Sequence, residues 1–330
     1  MFGVNCSKFH NAYLFLQFDF SDKDVPGATT PNERKYLYFF TKYFYQYNGS
    51  ICELGCAFGS LTIALAHGLK KKKGRIQSFD NFKWHNSWGD ALKGTNFYGT
   101  LNDGDDFQHI FRHYTKETKS KIDVRSENLE SYTWKDKNDI ELLVIDVMKN
   151  IRITNNVAQQ FYPYLIENSY VFHQDFCHFF EPWIHILQYR LKEFFRPVLH
   201  VEDSPSFVFQ LTKKIPHDLK LAKINLETIN IEEINDAFAY SLSLVDEEPA
   251  RQNIHAAKIY CMFACSYFNE GKDCLKDTLN SYDFVEKGNL EYVSKISSSI
   301  DQDIEHIKSN LENGVNLLLD LDYITKASQS

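Results

Sequence analysis

Glu53, Gly55 and Gly59 form an E-x-G-x-x-x-G run within SICELGCAFGS, residues 50–60, and Ser60 follows directly. Glycines in such a turn let the backbone approach a ligand closely, and a helix starting there aims free N–H groups at a carboxylate or nucleotide. Asp80 stands at the end of a second strand pattern, where a carboxylate can accept both hydroxyls of a ribose. The glycine turn and this acid together point to an adenosine-type ligand. Other side chains fit the reacting end. Asp146 and Asp175 each follow an apolar strand, where a carboxylate is costly unless solvated or paired. His173 and His178 titrate near neutrality and suit a general base. The bland alternatives are helix caps for the two acids and a satisfied sheet-edge histidine for His173.

The elements that must position these groups alternate in type. A helical stripe of Leu37, Phe40, Tyr43 and Phe44 precedes a strand at Ile51–Leu54. Leu61–Leu69 reads as a helix with Ser60 as N-cap and Lys70–Lys73 with Gly74 at its end. Strands are expected at Arg75–Phe79, Ile122–Arg125, Glu141–Ile145 and Ser169–Phe172. Helices are expected from Asp105 or Asp106 to Thr118, over Asn155–Ile166 and over 182–195. The ELLVI run reads as a parallel strand buried on both faces. Pro197–Val201 and Ser206–Leu211 are separated only by a short turn containing EDSP, so they form an antiparallel hairpin. The expectation is an α/β fold, a doubly wound, mostly parallel sheet closed by that hairpin. Its ligand belongs outside the carboxyl ends of the strands. The residues there are Glu53 and Gly55, Asp80, Ser126 and Glu127, Asp146, and His173 with Asp175.

A dinucleotide fingerprint would require glycines where Ala57 and Ser60 stand, which argues against a nicotinamide cofactor. The E-x-G-x-x-x-G turn, the ribose acid and the closing hairpin instead resemble class I S-adenosylmethionine-dependent methyltransferases, over about residues 32–213. The strand ends SFDNF, LLVIDV and YVFHQDF are similar to sugar O-methyltransferases of the macrocin O-methyltransferase type. The resemblance implies a Rossmann-like methyltransferase fold and O-methylation of a small polar acceptor, most simply a sugar hydroxyl. It implies S-adenosylmethionine around Gly55, Gly59 and Ser60, with Glu53 ordering the turn and Asp80 on the ribose. Phe82 or its neighbours would cover the adenine, and Ser126 and Glu127 would meet its edge. Asp146 and Asp175 would hold a divalent cation such as Mg2+ or serve the acceptor. Gln174-Asp175 and Asp146-Val147-Met148 depart from the family's paired acids. Without a cation, His173 or His178 would take the acceptor proton. A non-catalytic binding protein on the same fold is the alternative of another class.

Composition bounds the rest. The chain has 330 residues, 43% hydrophobic and 15% aromatic, enough for a substantial core. A formal charge of −8 argues against nonspecific nucleic-acid binding. No run approaches a membrane span, and the aromatic N-terminus is interrupted by polar residues, so a cytoplasmic location is expected. Seven cysteines without a framework suggest reduced thiols, with Cys261 and Cys265 as buried packing groups. Asp103, Asp105 and Asp106 read as a helix start, and Phe107, Ile110, Phe111 and Tyr114 as core. Trp84, at the edge of an 85–120 insertion, and His85 and Trp88 within it could stack on a sugar ring, while Trp183 and His185 read as packing. Three parts are expected: an extension over 1–30, the cofactor-binding domain over 31–215, and a helical region over 216–330. The last has patterns near 231–245, 250–268, 272–286 and 291–320 and suits self-association.

Overall fold

The computed structural model describes residues 10–17, 25–69, 73–217 and 223–281, with 294, 297 and 298. The chain divides into two compact units. The first comprises residues up to 147, 160–174 and 194–217; the second comprises 148–159, 175–193 and 218 onward. The second thus collects two segments from within the stretch expected to form one cofactor-binding domain.

The first unit holds a seven-stranded sheet of β1 (Ser50–Leu54), β2 (Ile76–Asp80), β3 (Ile122–Ser126), β4 (Ile140–Ile145), β5 (Leu165–His173), β6 (Phe195–His200) and β7 (Phe207–Leu211). Their order is β3-β2-β1-β4-β5-β7-β6. β1 to β5 are parallel, and β7 runs antiparallel to both β5 and β6. This is the mostly parallel sheet with a closing hairpin that the Rossmann-like methyltransferase fold requires. The strand order reverses between β1 and β4, at the switch point where such sheets bind ligands.

Side-chain character explains the order. β4 is buried along its whole length, as a central parallel strand must be. All five residues of β7 are buried, so the last strand enters the sheet beside β5. β6 carries exposed Arg196 and Pro197, which suit an edge because proline cannot donate to a ladder. The other edge, β3, carries the Asp123–Arg125 ion pair at 2.9 Å. Glu141 is the acid inside β4. Its carboxylate accepts from the backbone N–H groups of Gln46 (2.5 Å), Asn48 (2.7 Å) and Gly49 (3.3 Å), which fixes the turn leading into β1.

Helix α1 (Pro31–Tyr43) starts in a capping box. Thr30 accepts from the Glu33 N–H at 3.3 Å, and the Thr30 N–H donates to Glu33 Oε2 at 2.5 Å. Glu33 is fully buried, and its Oε1 accepts from Ser206 Oγ at 2.6 Å, tying α1 to the β6–β7 turn. Tyr36, Leu37 and Phe40 of α1 join Leu61, Leu65 and Leu69 over Ile51, Ile76, Leu142 and Val144 of the sheet. A second cluster gathers Phe58, Phe82, Trp84, Phe107, Ile110 and Phe111. Helix α2 spans Ser60–Gly68, and residues 70–72 of the expected basic terminus lie outside the described residues. Helix α3 (Gln108–Tyr114) is shorter than its sequence pattern, with Asp106 Oδ1 accepting from the Gln108 N–H at 2.8 Å.

The second unit contains α4 (Ile151–Gln160), α5 (Pro182–Arg190), α6 (Ile231–Leu242), α7 (Glu248–Ala264) and α8 (Phe268–Ser281). α4 begins four residues before the expected Asn155, because Asn150 Oδ1 accepts from the Ile153 N–H at 3.0 Å and starts the helix early. Arg190 of α5 meets both carboxylate oxygens of Glu233 on α6, at 2.6 and 3.2 Å. His185 Nδ1 lies 2.9 Å from Ser241 Oγ, and the buried Trp183 ring packs edge-on against Tyr260, so both act in packing as expected. The helix expected over 291–320 lies outside the described residues, apart from 294, 297 and 298.

Gly55 carries the tightest demand in the first unit. Its φ is +87°, and an added Cβ would strike the carbonyl oxygen of Asp146 and lie 2.6 Å from Val147 Cγ1. Gly55→Ala is expected to lower the unfolding free energy by about 2–4 kcal/mol in urea denaturation. Gly89→Ala, where nothing lies within 4 Å, should change it by less than about 0.5 kcal/mol. Equal effects of the two substitutions would contradict this packing account.

Candidate functional site

The turn between β1 and α2 is built from both ends. At its start, Glu53 is buried on β1 and its Oε2 accepts from Thr62 Oγ1 (2.6 Å) on α2 and Ser78 Oγ (2.9 Å) on β2. One carboxylate therefore joins three elements beneath the turn. Burial raises its pKa to about 7, against the stabilising effect of these hydrogen bonds. At the other end the N-cap is Gly59 in the left-handed region, φ +94°, rather than Ser60. An added Cβ there would sit 2.6 Å from Thr115 Cγ2, so the chain needs glycine at the position that begins the helix. Ser60 is the first helical residue. Its Oγ lies 2.6 Å from Thr29 Oγ1, a partner in the loop before α1 that sequence spacing did not reveal.

Asp80 closes the turn from the side. Its Oδ2 accepts from the Ala57 N–H at 2.9 Å and its Oδ1 from the Phe82 N–H at 2.8 Å. Ala57 and Phe82 both have positive φ, +42° and +51°, so the carboxylate holds two strained residues in place. Burial raises the Asp80 pKa, partly offset by these backbone hydrogen bonds. An ionised carboxylate has about four acceptor positions, so two such bonds leave acceptor capacity for a ribose. The Glu127 N–H donates to the Asp80 carbonyl oxygen at 2.9 Å, which brings the start of the post-β3 loop to the same strand end. Ser126 closes β3 in register with Asp80, exposed. The buried Oε1 of Gln174, directly after β5, has no hydrogen-bond partner among the described residues. The glycine turn and the acceptor capacity left on Asp80 beside it fit an adenosyl ligand.

Phe82 is fully buried, packed edge-on against Phe107 and Phe111. Its ring supports the turn after β2, so the expectation that it covers an adenine is replaced by a packing role. His173 is likewise fully buried, with Nε2 3.1 Å from Tyr162 Oη and the ring edge-on to Phe209. That environment removes it from contact with an acceptor and corrects its assignment as a base. Its bland alternative, a histidine buried in the sheet, describes the geometry. Asp146 follows β4 half-buried, and its N–H donates to the Leu54 carbonyl at 2.8 Å.

Asp175 belongs to the second unit, and there its Oδ2 is paired with Lys149 Nζ. Lys149 Nζ also lies 2.7 Å from Glu181 Oε1. Neither Lys149 nor Glu181 was singled out in the sequence, although Lys149 stands three residues past Asp146. His178 of the same unit stacks on Phe179, and its Nδ1 is buried without a partner among the described residues. Burial lowers its pKa, favouring the neutral imidazole, against the opposing charge of Asp175. The expected cation does not fit these acids. Asp175 already faces an ammonium, and among the described residues no group of three or more His, Cys, Asp or Glu is placed to hold a metal.

In the insertion, Trp84 is buried against Phe58, whereas Trp88 and Tyr98 are exposed. His85 is exposed beside Asp103 at 3.6 Å. Cys261 is buried, and its thiol pKa is raised well above normal by its hydrogen bond with Cys265 and by burial. No described helix is long and apolar enough to cross a membrane.

No protein-family model matches the sequence, and no curated protein matches it significantly. Solved structures similar in fold include the O-methyltransferase NovP, at 14% identity and TM-score 0.42, covering 55% of this chain and 80% of NovP. A TDP-rhamnose 3'-O-methyltransferase of calicheamicin biosynthesis aligns at 13% identity and TM-score 0.41, covering 62% of this chain and 92% of its own. Coclaurine N-methyltransferase aligns at 9% identity and TM-score 0.32, covering 84% of this chain and 82% of its own.

The buried Glu53 has a testable pH signature. Its carboxyl binds a proton more tightly in the folded chain, at a pKa of about 7, than at the ordinary 4.5. Folding therefore takes up a proton between these values, and the Glu53 contribution to stability falls as pH rises through that window. Relative to Glu53→Gln, the wild type should lose about 1 kcal/mol per pH unit between roughly pH 5 and pH 7. Denaturation series across that range measure it; a pH-independent difference would contradict the buried-acid account.

Proposed function

We propose that the chain transfers a methyl group from S-adenosylmethionine to the hydroxyl of a small polar acceptor, a sugar being the best match. The observation that carries this reading is the Asp80 clamp on the glycine turn at the β1/β4 switch point. Gly55, Gly59 and Ser60 would receive the amino-acid arm, Asp80 the ribose hydroxyls, and Ser126 with Glu127 the adenine edge. The cofactor would supply an electrophilic methyl on a sulfonium, so the protein's task is alignment and removal of one proton. The acceptor oxygen would gain the methyl while its proton passes to a base, for which His178 is the candidate by residue type. The exposed Trp88 and Tyr98 of the insertion support a carbohydrate, since their faces offer apolar surface with polar rims. Ala57 and Ser60 argue against a dinucleotide at the same turn.

Titration calorimetry tests the donor. S-adenosylhomocysteine should bind in preference to NAD+, and Asp80→Ala should weaken it by about 10- to 100-fold, roughly 1.4–2.8 kcal/mol. Preference for NAD+, or undiminished affinity in a folded Asp80→Ala protein, would overturn the assignment.

A further inference from the structure

The charged cluster of the second unit is organised around a lysine. Lys149, just before α4, pairs with Asp175 Oδ2 and with Glu181 Oε1 at 2.7 Å. The side chains of Glu181 and Asp175 are 1% and 10% exposed, whereas Lys149 is 41% exposed. Carboxylates desolvated to this degree require a positive partner, and an ammonium is a compact charge with three donors. A hard divalent cation makes the same demand on oxygen ligands, at about 2.0–2.1 Å for Mg2+. Asp175 Oδ2 and Glu181 Oε1 already converge on Nζ, so a cation between them would have to displace the ammonium.

We propose that Lys149 takes the place of the divalent cation expected at the acid after β5. The ammonium held by Asp175 and Glu181 neutralises both carboxylates, and the chain operates without a metal between them. The cation it replaces is expected on the methyltransferase reading, on which this inference rests.

The test is Mn2+ binding to the full chain, followed by electron paramagnetic resonance, with melting curves and S-adenosylhomocysteine affinity measured on the same samples. The wild type should show no stoichiometric Mn2+ site tighter than about 1 mM. Lys149→Ala should free the two carboxylates and gain a site at least about tenfold tighter, and adding Asp175→Asn should remove it. Lys149→Gln, closer in length and neutral, answers the same question if the alanine variant does not fold. Tight Mn2+ binding by the wild type that Asp175→Asn abolishes would overturn the proposal. So would a folded Lys149 variant that gains no Mn2+ site. Failure of S-adenosylhomocysteine to bind the wild type would overturn the methyltransferase reading alone, leaving the Mn2+ result intact.

Discussion

The Asp80 carboxylate is the interaction on which the glycine turn of the first unit depends. The backbone of the glycine turn is held by the Gly55 and Cys56 N–H groups donating to the Phe79 carbonyl and the Gly59 N–H to that of Cys56. Asp80 fixes it further from β2 by accepting from Ala57 and Phe82, while Glu53 ties the same turn to α2 and β2 from below. Both acids are buried, and both have raised pKa values for that reason. Gly55 and Gly59 complete the arrangement, because the neighbouring backbone and Thr115 leave no space for a Cβ. The shape of the turn and the acceptor positions left on Asp80 thus have a common origin in two carboxylates and two glycines.

The two compact units carry different sets of polar groups. The first contains the glycine turn, Asp80, the ends of β3 and β4, and Gln174; the second contains Lys149, Asp175, His178 and Glu181. On the proposed function a sulfonium cofactor would bring its own reactivity, leaving the protein to place an oxygen and accept a proton.

Much of this was legible in the sequence because it rests on local, repetitive signals. The unbroken ELLVI run, the strand–glycine–helix unit and the short EDSP turn each determine one element from nearby residues. They suffice for the mostly parallel sheet and its hairpin. What escaped was set by distant partners. Ser60 resembles an N-cap, but Gly59 takes that position and the serine hydroxyl pairs with Thr29. Glu141 looks like an interruption of an apolar strand until the Gln46–Gly49 turn supplies its donors. His173 sits at a strand end like a catalytic base, yet Tyr162 and Phe209 enclose it. Lys149 is visible only as one cation near α4; its pairing with Asp175 and Glu181 depends on tertiary structure.

The most direct measurement is a crystal structure of the full chain grown with saturating S-adenosylhomocysteine. The account predicts the ribose hydroxyls on the Asp80 carboxylate, with its hydrogen bonds to Ala57 and Phe82 retained. It also places the homocysteine arm along Gly55, Gly59 and Ser60. Ligand density elsewhere on the sheet, or an Asp80 carboxylate that makes no contact with the bound nucleoside, would contradict it.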